Sequence, residues 1–236
     1  MLASQMPEAR SQKPDLKVII FGATGMVGAG VLRECLLDGR VREVVSVQRS
    51  PSGSSHPKLR ELIRGDFFDY HDARDAFRGA DACFFCLGVS AVGKSEAEYY
   101  RLTFDLTLAA ARTLAELNPG MTFCYVSGQG TDSSERGRIM WARVKGKTEN
   151  ALLRLPLRAY MLRPGYIQPL GGIKSKTRVY RLFYQVMAPL YPLLKRLTPN
   201  LVTTNEAVGR VMIELALRGY SSRVLEVRDI NRVAQQ

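Results

Sequence analysis

Three glycines, Gly22, Gly25 and Gly28, follow the short β-branched run 17–21 (KVIIF) and precede the apolar-periodic stretch 31–37. Glycines at such intervals between a strand and a helix have a definite use. One makes the tight turn, one lets the backbone approach a pyrophosphate, and one lets the helix pack close on the strand. The N–H groups at the helix start are unpaired and carry partial positive charge, which suits phosphate. The loop therefore points to a dinucleotide. A second signal lies at the end of the next apolar run, 44–47, where Gln48-Arg49-Ser50 brings no carboxylate. An acid there would hold a ribose 2′-hydroxyl, whereas the planar fork of an arginine suits a 2′-phosphate. NADP is expected in preference to NAD, with Arg49 on the phosphate; a solvated loop arginine is the plain alternative.

These residues need a scaffold. Residues 17–21, 44–47, 62–66, 82–87, 122–127 and 159–163 read as strands, with helices at 31–37, 72–77, 96–117 and 141–155 between them. Strands alternating with helices predict an α/β fold, a Rossmann-like, doubly wound parallel sheet. Beyond residue 163 the rhythm weakens. Loops are marked by Pro164-Gly165 and by 169–172, a last helix is expected at 205–217, and an edge strand at 224–227. Residues 1–15 read as a loose, disordered polar tail. Residues 16–236 form one nucleotide-binding domain, with 166–204 as a small, basic C-terminal lid over the substrate.

Composition narrows the chemistry. The 236 residues carry 34 Lys and Arg against 22 Asp and Glu, a formal net charge of +12, and are 46% apolar. Such a chain can bury a core without staples. Its four cysteines make no disulfide framework, and two histidines, His56 and His71, build no His-rich metal site. Cys83 and Cys86, three apart on a strand, point to opposite faces and read as core thiols, like Cys35 and Cys124. Ser127 lacks the surroundings of a nucleophile elbow, so a serine hydrolase is not expected. No run of 18 apolar residues and no secretory signal are visible, which predicts a cytoplasmic location.

Taken together, the motifs GATGMVG, GDFFD, CFFCLG, YVSGQG, VKGKTE and LRPG resemble the short-chain dehydrogenase/reductase superfamily in its atypical, NAD(P)H-binding branch. That branch overlaps with NAD-dependent epimerase/dehydratases, and the nearest likeness is to the Tat-interacting-protein-like oxidoreductases. The resemblance runs from about residue 17 to residue 169. It implies that Thr24, Gly25, Met26 and Val27 lie over the cofactor phosphates, and that Asp66 and Phe67 lie beside the adenine. It implies further that Leu87 and Gly88 pass the ribose, that Ser127 holds a substrate oxygen, and that Pro164 flanks the nicotinamide. Lys145 matches the lysine that holds the nicotinamide ribose. The family pattern Tyr-x-x-x-Lys reads Trp141-Ala-Arg-Val-Lys145 here. The spacing keeps both side chains on one helical face. But an indole N–H only donates, whereas a phenol gives and takes a proton. Tyr166 is the candidate replacement as proton donor. The competing expectation is a non-catalytic cofactor sensor or interaction protein that has lost the tyrosine.

Residues 136–197 carry fourteen Lys or Arg and one acid, Glu149. Clustered charge of one sign draws anionic ligands. Three readings compete: an anionic small-molecule substrate or the cofactor's own phosphates, peripheral contact of the basic, aromatic segment 178–197 with an anionic membrane, or a plain solvated face. Nucleic acid is disfavoured, because no recognition motif is present. An apolar lid also leaves room for a homodimer.

Overall fold

The computed structural model describes residues 15–172 and 200–235, together with residues 191, 196 and 198. Its first strand shows how the core is built. All but one residue of β1 (Leu16–Phe21) are buried, as expected for a central parallel strand covered on both faces. Because strand side chains alternate, Val18 and Ile20 enter one apolar cluster, while Ile19 and Phe21 enter the other. The same rule separates Cys83 from Cys86, which pack into opposite clusters as their spacing predicts.

The chain continues through α1 (Met26–Leu37), β2 (Val41–Gln48), β3 (Leu59–Ile63), a 3-10 turn into α2 (Arg74–Phe77), β4 (Ala82–Phe85) and α3 (Glu96–Tyr100). A π-helical turn, Arg101–Asp105, joins α3 to α4 (Leu106–Leu117) within the segment expected as one long helix. Then come β5 (Thr122–Val126), α5 (Met140–Leu153), β6 (Arg158–Arg163), β7 (Tyr166–Gln168), β8 (Val202–Thr204), α6 (Asn205–Arg218), β9 (Val224–Glu226) and α7 (Val227–Val233).

Seven strands form one sheet in the order β3-β2-β1-β4-β5-β6-β9, every neighbouring pair parallel. This is the expected doubly wound α/β fold, with β9 at the edge. Strand order reverses between β1 and β4, and in such sheets ligands bind beyond the carboxyl ends of the strands at that reversal.

Two expectations are corrected. The third strand lies at Leu59–Ile63 rather than 62–66, because β2 pairs Val44 with Leu59 and the chain leaves the ladder at Arg64. Arg64 then curls the following loop onto itself, donating to the carbonyls of Asp66 and Asp69 and pairing with Asp72. Of the anticipated lid, β7 and β8 form a separate two-stranded parallel sheet. The basic segment expected at a membrane, 178–197, lies outside the described residues except for Tyr191 and Arg196, as do 1–14 of the expected tail. Among the described residues no helix is long and apolar enough to cross a membrane.

Candidate nucleotide site and its catalytic end

The glycine loop is built by steric necessity. Gly22 has φ +82°, and a Cβ on it would stand 2.8 Å from the Leu87 amide nitrogen. A Cβ on Gly28 would fall 2.1 Å from the Gly22 carbonyl oxygen. Only glycine at both positions lets the end of β1, the start of α1 and the end of β4 meet. The Gly25 amide donates to the Gly22 carbonyl at 2.9 Å and closes the turn. Gly25 then caps α1 with no side-chain acceptor, and no acid stands in the first turn. The amides of Met26, Val27 and Gly28 thus open the helix without intrahelical acceptors, at the positive end of its dipole. Gly22, Thr24, Gly25, Met26, Val27 and Gly28 form the β1–α1 turn and Leu87 lies against it, with Gly88 following into the exposed loop. A side chain at Gly22 or Gly28 would force these elements apart, whereas the glycines let the loop close and leave the first α1 amides open, so the residues present fit a dinucleotide's pyrophosphate.

Arg49 stands exposed just beyond β2 and forms no ion pair or hydrogen bond with any described residue. Asp66 is exposed, and its Oδ1 accepts the Phe68 amide at 2.7 Å. The Phe67 ring belongs to the core, so only its backbone is left to face a ligand.

At the other end, α5 carries Lys145. Its ammonium donates to the Ser127 carbonyl, and its Nζ lies 3.8 Å from where Gly128 would carry a Cβ. Burial lowers the Lys145 pKa from 10.5 to about 8, with Glu149 pulling the other way. The Gln129 amide donates to the Pro164 carbonyl at 2.9 Å, bringing the β6–β7 turn alongside. Ser127, Lys145 and Pro164 are therefore neighbours. The Ser127 side chain is buried, and its hydroxyl donates to the Leu162 carbonyl at 3.1 Å. Tyr166 lies on β7, with its hydroxyl donating to Gln168 Oε1 at 2.7 Å. One turn before Lys145, the tip of the Trp141 indole packs 3.4 Å from a Cβ position on Gly130.

Glu149 and Gly128 escaped the sequence reading as site residues. Glu149 is 1% exposed and accepts from Arg163 Nε at 3.0 Å and from a second guanidinium nitrogen. Arg163 also reaches Ser133 Oγ at 2.5 Å and Glu226 at 3.3 Å. Glu149 had a signal: it is the single acid of a basic stretch, one helical turn after Lys145. The polar run 132–135 is a turn rather than a free loop, with Asp132 accepting from Gly137 N at 2.7 Å and Asn150 donating to the Ser133 carbonyl at 2.9 Å.

Residues 18–132 match the profile of the NAD dependent epimerase/dehydratase family. Solved structures of this kind share the fold. The Bordetella bronchiseptica enzyme WbmF, solved with NAD+, is similar over 95% of this chain and 78% of its own, with a TM-score of 0.64 at 17% identity. The UDP-N-acetylglucosamine 4-epimerase of Methanobrevibacter ruminantium is similar over 94% of this chain and 80% of its own, with a TM-score of 0.66 at 15% identity. The motif resemblance to short-chain dehydrogenase/reductases of the epimerase/dehydratase kind agrees with this match over residues 18–132 and with the shared fold; the Tat-interacting-protein-like detail rests on the motifs alone.

Among curated relatives, the leucinostatins biosynthesis cluster protein T of Purpureocillium lilacinum is 29% identical over 58% of this chain, a match that spans 51% of that protein. The mitochondrial protein FMP52 of Eremothecium gossypii is 24% identical over 94% of this chain and 98% of its own length. The expected cytoplasmic location is corrected by these relatives, since FMP52 proteins, that of Emericella nidulans included, are named mitochondrial. A missing apolar signal core speaks only to secretion, whereas organellar addresses are amphipathic, arginine-rich and poor in acids.

Proposed function

We propose that this epimerase/dehydratase-like protein binds NADP(H) across the carboxyl ends of β1, β2 and β4 and acts as an oxidoreductase or epimerase on a small, anionic substrate. Lys145 carries the reading. Its amine is held at the Ser127 carbonyl beside the side-chain-free Gly128, with a pKa lowered to about 8. An amine poised near neutral pH can both give and take a proton, the role left open by Trp141. The bound cofactor would supply hydride transfer. The glycine-loop amides hold its phosphates, Arg49 the 2′-phosphate, Asp66 and the Phe67 backbone the adenine, Leu87 and Gly88 the ribose, and Pro164 flanks the nicotinamide. Lys145 orients the nicotinamide ribose and holds the proton that passes to a substrate oxygen. Ser127 acts through its carbonyl, which aims that amine. Tyr166 is the second candidate donor, but its hydroxyl is engaged with Gln168.

Calorimetric titration with NADPH and NADH, after stripping co-purified nucleotide, tests the cofactor reading. Tight NADPH and weak NADH binding is expected; equal affinities would sink the NADP preference. One observation favours a non-catalytic nucleotide sensor instead: the Trp141 indole is packed on Gly130. A screen of carbonyl and sugar substrates for nicotinamide oxidation separates the two. Turnover that appears only in Trp141→Tyr marks a sensor derived from an enzyme. Turnover in the native protein that is lost in Lys145→Met supports the lysine as proton carrier.

A further inference from the structure

A cavity of about 400 Å³ opens where β8 turns into α6 and α7 packs beside it. None of the glycine loop, Arg49 or Lys145 lines it. Its described lining carries two guanidinium groups, Arg210 and Arg228, and no carboxylate. Arg228 is exposed and pairs with no described residue. Arg210 approaches Glu34 and Glu206 only at 3.4 and 3.7 Å. Thr203 also lines the cavity; it is 2% exposed, and its hydroxyl has no hydrogen-bond partner among the described residues. Native proteins rarely keep a buried hydroxyl unsatisfied, and Thr203 holds such a donor just beneath the surface of a positive cavity, where a small side-chain rotation meets an incoming acceptor. Val202, Ala207 and Leu170 supply apolar wall between the polar groups.

We propose that this cavity is a second binding site, for a small organic anion whose phosphate or carboxylate meets Arg228, Arg210 and the Thr203 hydroxyl while a short apolar body lies against Val202 and Ala207. Planar guanidinium groups recognise either anion through paired N–H donors. The site is independent of the nucleotide reading and survives its failure.

Thermal-shift titration of the full chain with butyl phosphate, butyrate and inorganic phosphate tests it. A saturable rise in melting temperature is expected with butyl phosphate or butyrate, and the stronger of the two identifies the anion. Arg228→Gln and Thr203→Val should each weaken that response at least tenfold while leaving NADPH affinity unchanged. Without any probe, Thr203→Val should melt at or above the wild-type temperature, because it removes an unpaired hydroxyl and keeps its shape. The proposal is overturned if no probe raises the melting temperature, if both variants respond like wild type, or if inorganic phosphate binds as tightly as the butyl ester.

Discussion

Arg163 grips Glu149 through its Nε and a terminal nitrogen, tying the end of β6 to the middle of α5. The grip occupies the carboxylate one turn beyond Lys145. For Lys145, burial then outweighs what attraction Glu149 provides, and its pKa falls. The clamp and the tuned amine are two consequences of one helix face.

Breaking the clamp should be expensive. Glu149→Leu would leave the Arg163 guanidinium, 12% exposed, with only the half-exposed Glu226 as a charged partner among the described residues. Removing one member of a buried pair costs about 3–5 kcal/mol, and the remaining Glu226 contact argues for the lower end. Urea denaturation checks this: a midpoint equal to wild type would show that the pair contributes nothing.

The Lys145 pKa carries a signed pH dependence. Its folded value, about 8, lies below the ordinary 10.5, so above pH 8 the unfolded chain binds the extra proton. Stability from this group therefore rises between about pH 8 and 10.5 and is at its lowest below pH 8. Relative to Lys145→Met, the wild-type protein should gain up to about 3 kcal/mol across that window. Parallel stability–pH curves for the two proteins would refute the depressed pKa.

Arg49→Ala should remove about 1.5–3 kcal/mol of NADP binding, the range for hydrogen bonds to charged groups, and leave NAD binding nearly unchanged. Arg49 has no partner among the described residues, so the fold should not notice its loss. Calorimetry with both nucleotides decides it, and an equal loss for both would remove Arg49 from the 2′-phosphate.

Two glycine-to-alanine changes should behave oppositely. Gly28→Ala forces a methyl to 2.1 Å from the Gly22 carbonyl and must push α1 off β1, abolishing nucleotide binding and lowering the melting temperature. At Gly39 nothing lies within 4 Å of the new methyl. Gly39→Ala should be neutral or stabilise by up to about 1 kcal/mol, through the unfolded chain's lost freedom. Nucleotide binding by Gly28→Ala at wild-type affinity would contradict the close approach.

The sheet, the glycine loop and the sides on which the cysteines fall were legible because each depends on local repetition: period two in a strand, a helix face, a turn at a glycine. Lys145 was legible through its motif, and so was the indole four residues before it. Local pattern misled at residues 62–66, where an apolar start and an acid imitated a strand end. Pairing of Val44 with Leu59 settled the register instead. The π-helical turn at Arg101–Asp105 left no mark, since helical periodicity continues on both sides of it.

By itself, then, the sequence determined the alternating α/β order, the dinucleotide loop and the missing phenol at residue 141, all written in near neighbours. Only the tertiary structure decided that Arg163 would neutralise Glu149, that the Lys145 amine would lie beside Gly128, and that Thr203 would line one cavity with two arginines. Those partners stand 14, 17 and at least 7 residues apart along the chain. They meet because parallel crossovers and helix packing fold distant segments onto one another, and no local periodicity encodes which distant side chains will share a low-dielectric space.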